Sequence, residues 1–206
     1  LHSFPTRRSS DLMIGPVRSR IQDLLAALDN PVIAARNDTK TEIICLLGRM
    51  ERDGVPAIPK LVSLLDDTGW LVNLRAAQAL QAIGGPEAKG AAPALVRMLS
   101  DKDDALREAA SDTLAAIGPA AVTAVPHLIT RLHSDLSFRG RAKAARALTR
   151  IAPDDLEVRK ELIRAMKHPD ESLRGSITHM VASCCPPSRE WIDIFLSLHE
   201  STQHSL

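Results

Sequence analysis

The sequence predicts an all-α solenoid, a stack of about five helix–turn–helix repeats, and three observations carry that prediction. The first is a fixed period. PKLVSLLDD at 59–67 returns as PALVRMLSD at 93–101 and PHLITRLHSD at 126–135, with a diverged KELIRAMKHPD at 160–170, so Leu61, Leu95, Leu128 and Leu162 follow at steps of 34, 33 and 34. A second phrase follows each first one: LRAAQALQAIG at 74–84, REAASDTLAAIG at 107–118 and RAKAARALTRIA at 141–152. Its last apolar position recurs as Met50, Ile83, Ile117, Ile151 and Cys184. Units that recur in this way bury their apolar faces against their neighbours. The second observation is spacing within each phrase. Leu61, Leu64 and Leu65 fall at i, i+3 and i+4, and Ala76, Ala77, Leu80 and Ile83 at i, i+1, i+4 and i+7, each set on one face of a helix. The third is the aromatic content of 2%, with no Tyr. A core of Leu, Ile, Val and Ala suits helix on helix and argues against a β-sandwich or barrel.

Taken in order, the chain opens on LHSFPTRRSSDL, and His2 to Leu12 matches one reading frame of a common sequencing adapter. Residues 1–12 are therefore expected to be non-native, with Met13 as a candidate start; they lack the apolar stretch of a secretory signal. Residues 13–200 are expected to form a single repeat domain. Within it, Pro59, Pro93 and Pro126 open first helices, where no N–H partner is lost. The turns DDTG at 66–69 and SDKDD at 100–104 supply caps for second helices, and Gly84 and Gly118 close them. REWIDIFLSLHE at 189–200 reads as the first helix of a sixth unit, with Trp191, Ile194, Phe195 and Leu198 as its apolar stripe. STQHSL at 201–206 reads as a loose tail.

Charge and cysteines bound the function. Without Arg7, Arg8 and Asp11, the 26 basic and 25 acidic residues become 24 and 24, so net charge offers no argument for nucleic acid or an anionic membrane. The longest apolar run, IICLL at 43–47, falls far short of the roughly 18 residues a membrane helix needs. Cys45, Cys184 and Cys185 have neither disulfide-framework nor zinc spacing; reduced thiols and a cytoplasmic setting are expected.

The phrases Pro-x-Leu, Leu-Leu-x-Asp, Arg-x-x-Ala-Ala and Ala-x-Leu-x-x-Ile-Gly resemble HEAT repeats, specifically the short bacterial type known as phycobilisome-lyase HEAT-like repeats, over about residues 17–185. The resemblance implies a right-handed solenoid whose second helices line the concave side. It also implies a structural ladder, an Asp in each inter-helix turn and an Arg early in the second helix. The matching positions are Asp67 with Asn73, Asp101 with Arg107, Asp135 with Arg141 and Asp170 with Arg174, of which Asn73 departs from the pattern. Trp70 stands where this family often carries Trp, and packing over the next repeat is expected of it.

No catalytic constellation is legible. The histidines at 127, 133, 168, 179, 199 and 204 form no metal-ligand pair, and His199-Glu200 occurs once, unlike the repeated pairs of HEAT-like hydroxylases. No phosphate-cradling glycine loop or nucleophile elbow is present, so neither enzyme chemistry nor a cofactor is expected. The outward columns of the second helices are the better place to look. One reads Glu42, Arg75, Ala109, Lys143, Ser176; its neighbour Cys45, Gln78, Asp112, Arg146, His179; a third Arg49, Ala82, Ala116, Arg150, Ser183. Arg139, Lys143, Arg146 and Arg150 make a basic stripe at i, i+4, i+7 and i+11. Three readings stand: a solvated face with Arg146 opposite Asp112, a surface for an acidic protein or peptide, or a nucleic-acid backbone site. The function expected is a non-catalytic protein-binding scaffold that uses Arg75, Gln78, Asp112, Arg139, Lys143, Arg146, Arg150 and His179. A bilin-lyase-like or chaperone-like accessory protein is the alternative, and a nucleic-acid backbone binder the second.

Overall fold

The structure, a computed structural model, describes residues 9–135, 137–184 and 191–197, with side chains from residue 19 onward. Among these residues there is helix and turn but no strand. The chain divides into two compact units, Leu1–Gly84 and Gly85–Leu206, where the sequence suggested a single domain. The division falls at Gly84 and Gly85, both at positive φ (61° and 83°), where helical hydrogen bonding stops.

The first unit contains α1 (Ser9–Asp29), the short α2 (Pro31–Ala34), α3 (Asn37–Gly48), a 3-10 segment Glu51–Ala57, α4 (Ile58–Ser63) and α5 (Trp70–Ile83). Asn30 starts α2 by accepting the Val32 N–H at 2.9 Å, with Pro31 next in line. Ile21, Ile44, Leu47, Leu61, Leu65 and Leu80 are sealed from solvent. Each contributes roughly 1.5–3 kcal/mol of burial energy. Helices α3 and α5 touch closely because Gly48 has no side chain: a Cβ there would sit 2.9 Å from Ala79 Cα.

The second unit contains a 3-10 segment Pro86–Ala91, α6 (Ala92–Met98), α7 (Asp104–Ile117), a 3-10 segment Gly118–Ala124, α8 (Val125–Ser134), α9 (Phe138–Ile151), α10 (Leu156–Met166), α11 (Glu171–Cys184) and α12 (191–197). Asp103 caps α7, Ser137 caps α9 and Asp155 caps α10, each accepting main-chain N–H groups of the first turn. Such caps contribute about 1 kcal/mol apiece. Residues 104–134 hold an 18-residue stretch apolar enough on average to cross a membrane. Gly118 (φ 72°) and the non-helical Ala121 break them into α7 and α8, however, and Leu114, Leu128 and Leu132 are core.

The repeat columns read from the sequence are the core columns. Leu61, Leu95, Leu128 and Leu162 are buried, as are Ile83, Ile117 and Ile151; Met50 and Cys184, in the first and last copies, are only partly so. In α12, Trp191 is buried, its ring 6.0 Å from that of Phe195 and under the Arg159 guanidinium. Leu198, Cys185, the tail 201–206 and residues 1–8 of the expected non-native segment lie outside the described residues. Trp70 is 56% exposed, not covered by packing.

Candidate partner-binding surface

The ladder residues close the turns. Arg107, Arg141 and Arg174 each donate to the main-chain carbonyl six residues earlier, of Asp101 (2.8 Å), Asp135 (2.7 Å) and His168 (3.0 Å). Asp101 and Asp135 accept the N–H two residues on, from Asp103 and Ser137, and Asp170 accepts that of Leu173. Among these ladder residues, Arg107 also reaches the next repeat: its Nε lies 3.4 Å from Asp135 Oδ2. The first unit has its own version, which the sequence reading missed. Lys40 occupies the register of Arg107 and pairs with Asp67 of the following repeat at 2.8 Å. Burial pushes the Asp67 carboxyl up, but Lys40 and the N–H groups of Gly69 and Thr68 outweigh it and hold Asp67 below its ordinary range. Asn73 carries a buried Oδ1 with no hydrogen-bond partner. Arg131, also missed, sits one turn before Asp135, its Nη2 2.8 Å from Oδ2. Burial lowers the pKa of its guanidinium; Asp135 opposes that shift and Arg107 adds to it.

The basic stripe of α9 meets an acidic counterpart on α7. Arg139 Nε is 3.1 Å and Lys143 Nζ 3.3 Å from Glu108 Oε2; Lys143 also bonds Asp112 Oδ2, and Arg146 Nη2 is 3.6 Å from Asp112 Oδ1. Two expectations are corrected. Asp112 is 9% exposed and faces α9, because two cations draw it inward, so it is not available to a partner. Ala109, read as part of the first outward column, is buried. Arg150 and His179 are exposed, without a charged partner among the described residues. Glu108 was legible only from the facing registers of α7 and α9, not from any motif.

The columns of the first unit are arranged differently. Between α3 and α5 lies an open cavity of about 580 Å³ lined by the buried Gly48 and Ala79 and the exposed Ala82. Cys45, Arg49 and Glu51 stand on one side of it and Arg75 and Gln78 on the other. Arg75 Nη1 donates to Gln78 Oε1 at 2.9 Å, which orients the guanidinium without neutralising it. Arg49 and Glu51 have no polar partner among the described residues, and Glu51 holds φ at 47°. A left-handed conformation costs a residue with a Cβ roughly 1–2 kcal/mol.

Comparison with known proteins bears on the fold. Residues 58–136, from α4 to the end of the α8–α9 turn, match the family model described as HEAT repeats. No curated protein matches the chain. Among solved structures, an engineered protein is similar at 23% identity and a TM-score of 0.63, over 88% of this chain and 85% of that one. A designed armadillo repeat protein in complex with the peptide (KR)4 is similar at 17% identity and a TM-score of 0.62, over 87% of each chain. The complex of CpcE and CpcF of phycocyanin lyase from Nostoc is similar at 19% identity and a TM-score of 0.57, over 79% of this chain and 98% of that one. At these identities the likeness establishes the fold, an all-α repeat solenoid. The chain thus shares the helical-repeat fold of those proteins, while the polar residues on α3, α5, α7 and α9 are its own.

Proposed function

We propose that the protein is a non-catalytic binding module that docks a partner protein on the outward columns of its second helices. The observation that carries this reading is the open cavity on α3 and α5, which presents Arg75 and Arg49 to solvent with no carboxylate in contact. Structural neighbours that hold a peptide or a second protein subunit support a protein partner. In the second unit the same columns offer Arg150 and His179 directly. Lys143 and Arg146 contribute only when a partner carboxylate competes with Glu108 and Asp112, so their share of the binding energy is small. Docking follows from shape, with charge setting orientation and on-rate.

Site-directed photocrosslinking tests the reading. A benzophenone side chain at Gln78 or His179 is expected to yield discrete adducts in extracts of the source cells, and one at Thr130 on α8 is expected to yield none. Equal labelling at all three positions, or none at any, would sink the proposal.

A further inference from the structure

We infer that the cavity between α3 and α5 is a site for an acidic peptide segment, and that Glu51 is held in a left-handed backbone to complete it. The inference rests on the protein-binding reading above and names the partner's chemistry. Its starting point is a register. Met50, Ile83 and Ile117 are equivalent positions, and the residues after them are Glu51, Gly84 and Gly118, at φ of 47°, 61° and 72°. The second and third copies fill this left-handed position with glycine, which adopts it freely. The first copy carries a glutamate there. No hydrogen bond or ion pair within the described residues engages the Glu51 side chain, so nothing in the fold itself accounts for the strained choice. Strain of this kind is retained where a site uses it.

The groups around Glu51 specify a ligand. Arg49, Arg75 and the free amide N–H groups of Gln78 are donors, and Glu51 is the single charged acceptor in the lining. Glu42, two turns from Arg49 along α3, is outside it. A matching ligand brings a carboxylate to the two guanidiniums and one N–H to Glu51, which an extended peptide containing Asp or Glu supplies from adjacent atoms. The small residues Gly48, Ala79 and Ala82 in the lining leave room for main chain beside a small apolar side chain. A nucleic-acid strand fits less well, because no aromatic residue lines the cavity for stacking and Glu51 would face phosphate. The equivalent face of α7 and α9 differs, since Glu108 and Asp112 already engage Arg139, Lys143 and Arg146 and leave Arg150 alone without a charged partner among the described residues.

The test uses the full chain and three fluorescein-labelled probes: a short peptide of alternating Glu and Leu, its Lys–Leu counterpart and oligo-dT. Anisotropy is expected to show saturable binding of the Glu–Leu peptide only. R49E/R75E, with its helical content checked, is expected to weaken that binding about tenfold or more. E51G is the decisive variant. It is expected to raise the melting temperature, because glycine relieves the strain, and to weaken peptide binding several-fold. A higher melting temperature with unchanged affinity would overturn the role of Glu51. Equal affinity for the Lys–Leu peptide, or oligo-dT binding that R49E/R75E abolishes, would overturn the acidic-peptide assignment. Adducts at Gln78 without Glu–Leu binding would end this inference and leave the broader reading standing; no adducts and no binding would end both.

Discussion

Arg131 Nη2 lies 2.8 Å from Asp135 Oδ2, one helical turn along α8, with side chains 4% and 1% exposed. Arg107 approaches the same carboxylate oxygen from α7 at 3.4 Å, so one buried acid answers two cations. Removing the acid leaves a buried charge without compensation. D135A is expected to destabilise the second unit by about 3–5 kcal/mol, whereas R131M/D135L, which removes both charges, loses much less. Urea unfolding of the two variants decides the point; a loss under about 1 kcal/mol for D135A would refute the burial argument.

Gly140 makes that pair possible. A Cβ there would stand 2.6 Å from Asp135 Oδ2 and 2.8 Å from Arg131 Nη2, whereas Gly175 in α11 has nothing within 4 Å. Both glycines are helical, and alanine gains about 1 kcal/mol of helix propensity over glycine. G175A is therefore expected to raise the melting temperature, and G140A to lower it despite the same propensity gain. Thermal denaturation followed by circular dichroism reads both.

Acid weakens the Lys40–Asp67 pair. The folded pKa of Asp67 lies below the ordinary value of 3.8, so the Lys40–Asp67 pair stabilises the first unit at pH above the unfolded value. That contribution is lost as pH falls through the folded value. Stability is expected to be flat in this respect near neutrality and to decline below about pH 4. D67N lowers stability at neutral pH and flattens the acid slope; an unchanged slope would remove Asp67 as its source.

The Lys143–Asp112 contact joins α9 to α7, with side chains 19% and 12% exposed. A double-mutant cycle of K143A and D112A is expected to give a coupling of about 1 kcal/mol, reduced by salt. Unfolding free energies at low and high ionic strength measure it. A coupling near zero would return Lys143 to the set of cations available to a partner.

Much of this was legible in advance. The period of Leu61, Leu95, Leu128 and Leu162 identified the core because burial repeats with the chain. Arg107, Arg141 and Arg174 were singled out from the resemblance to HEAT-like repeats; the carbonyl each holds, six residues earlier, came from the structure. Lys40 could have been found by extending that register back one copy. The basic stripe of α9 was visible, and so was Arg146 opposite Asp112, but the part played by Glu108 was not. Glu108 lies 31 residues from Arg139, and no motif connects them.

The sequence by itself determined the repeat, the helix faces and the core, because these follow from local spacing and from which side chains leave water. The tertiary structure alone decided which polar residues remain available. Whether a cation is free depends on what the neighbouring helix sets opposite it, a distance in space that spacing along the chain does not encode. That is why Lys143 and Arg146 are partly spent within α7 and α9 while Arg49, Arg75 and Glu51 stand open between α3 and α5.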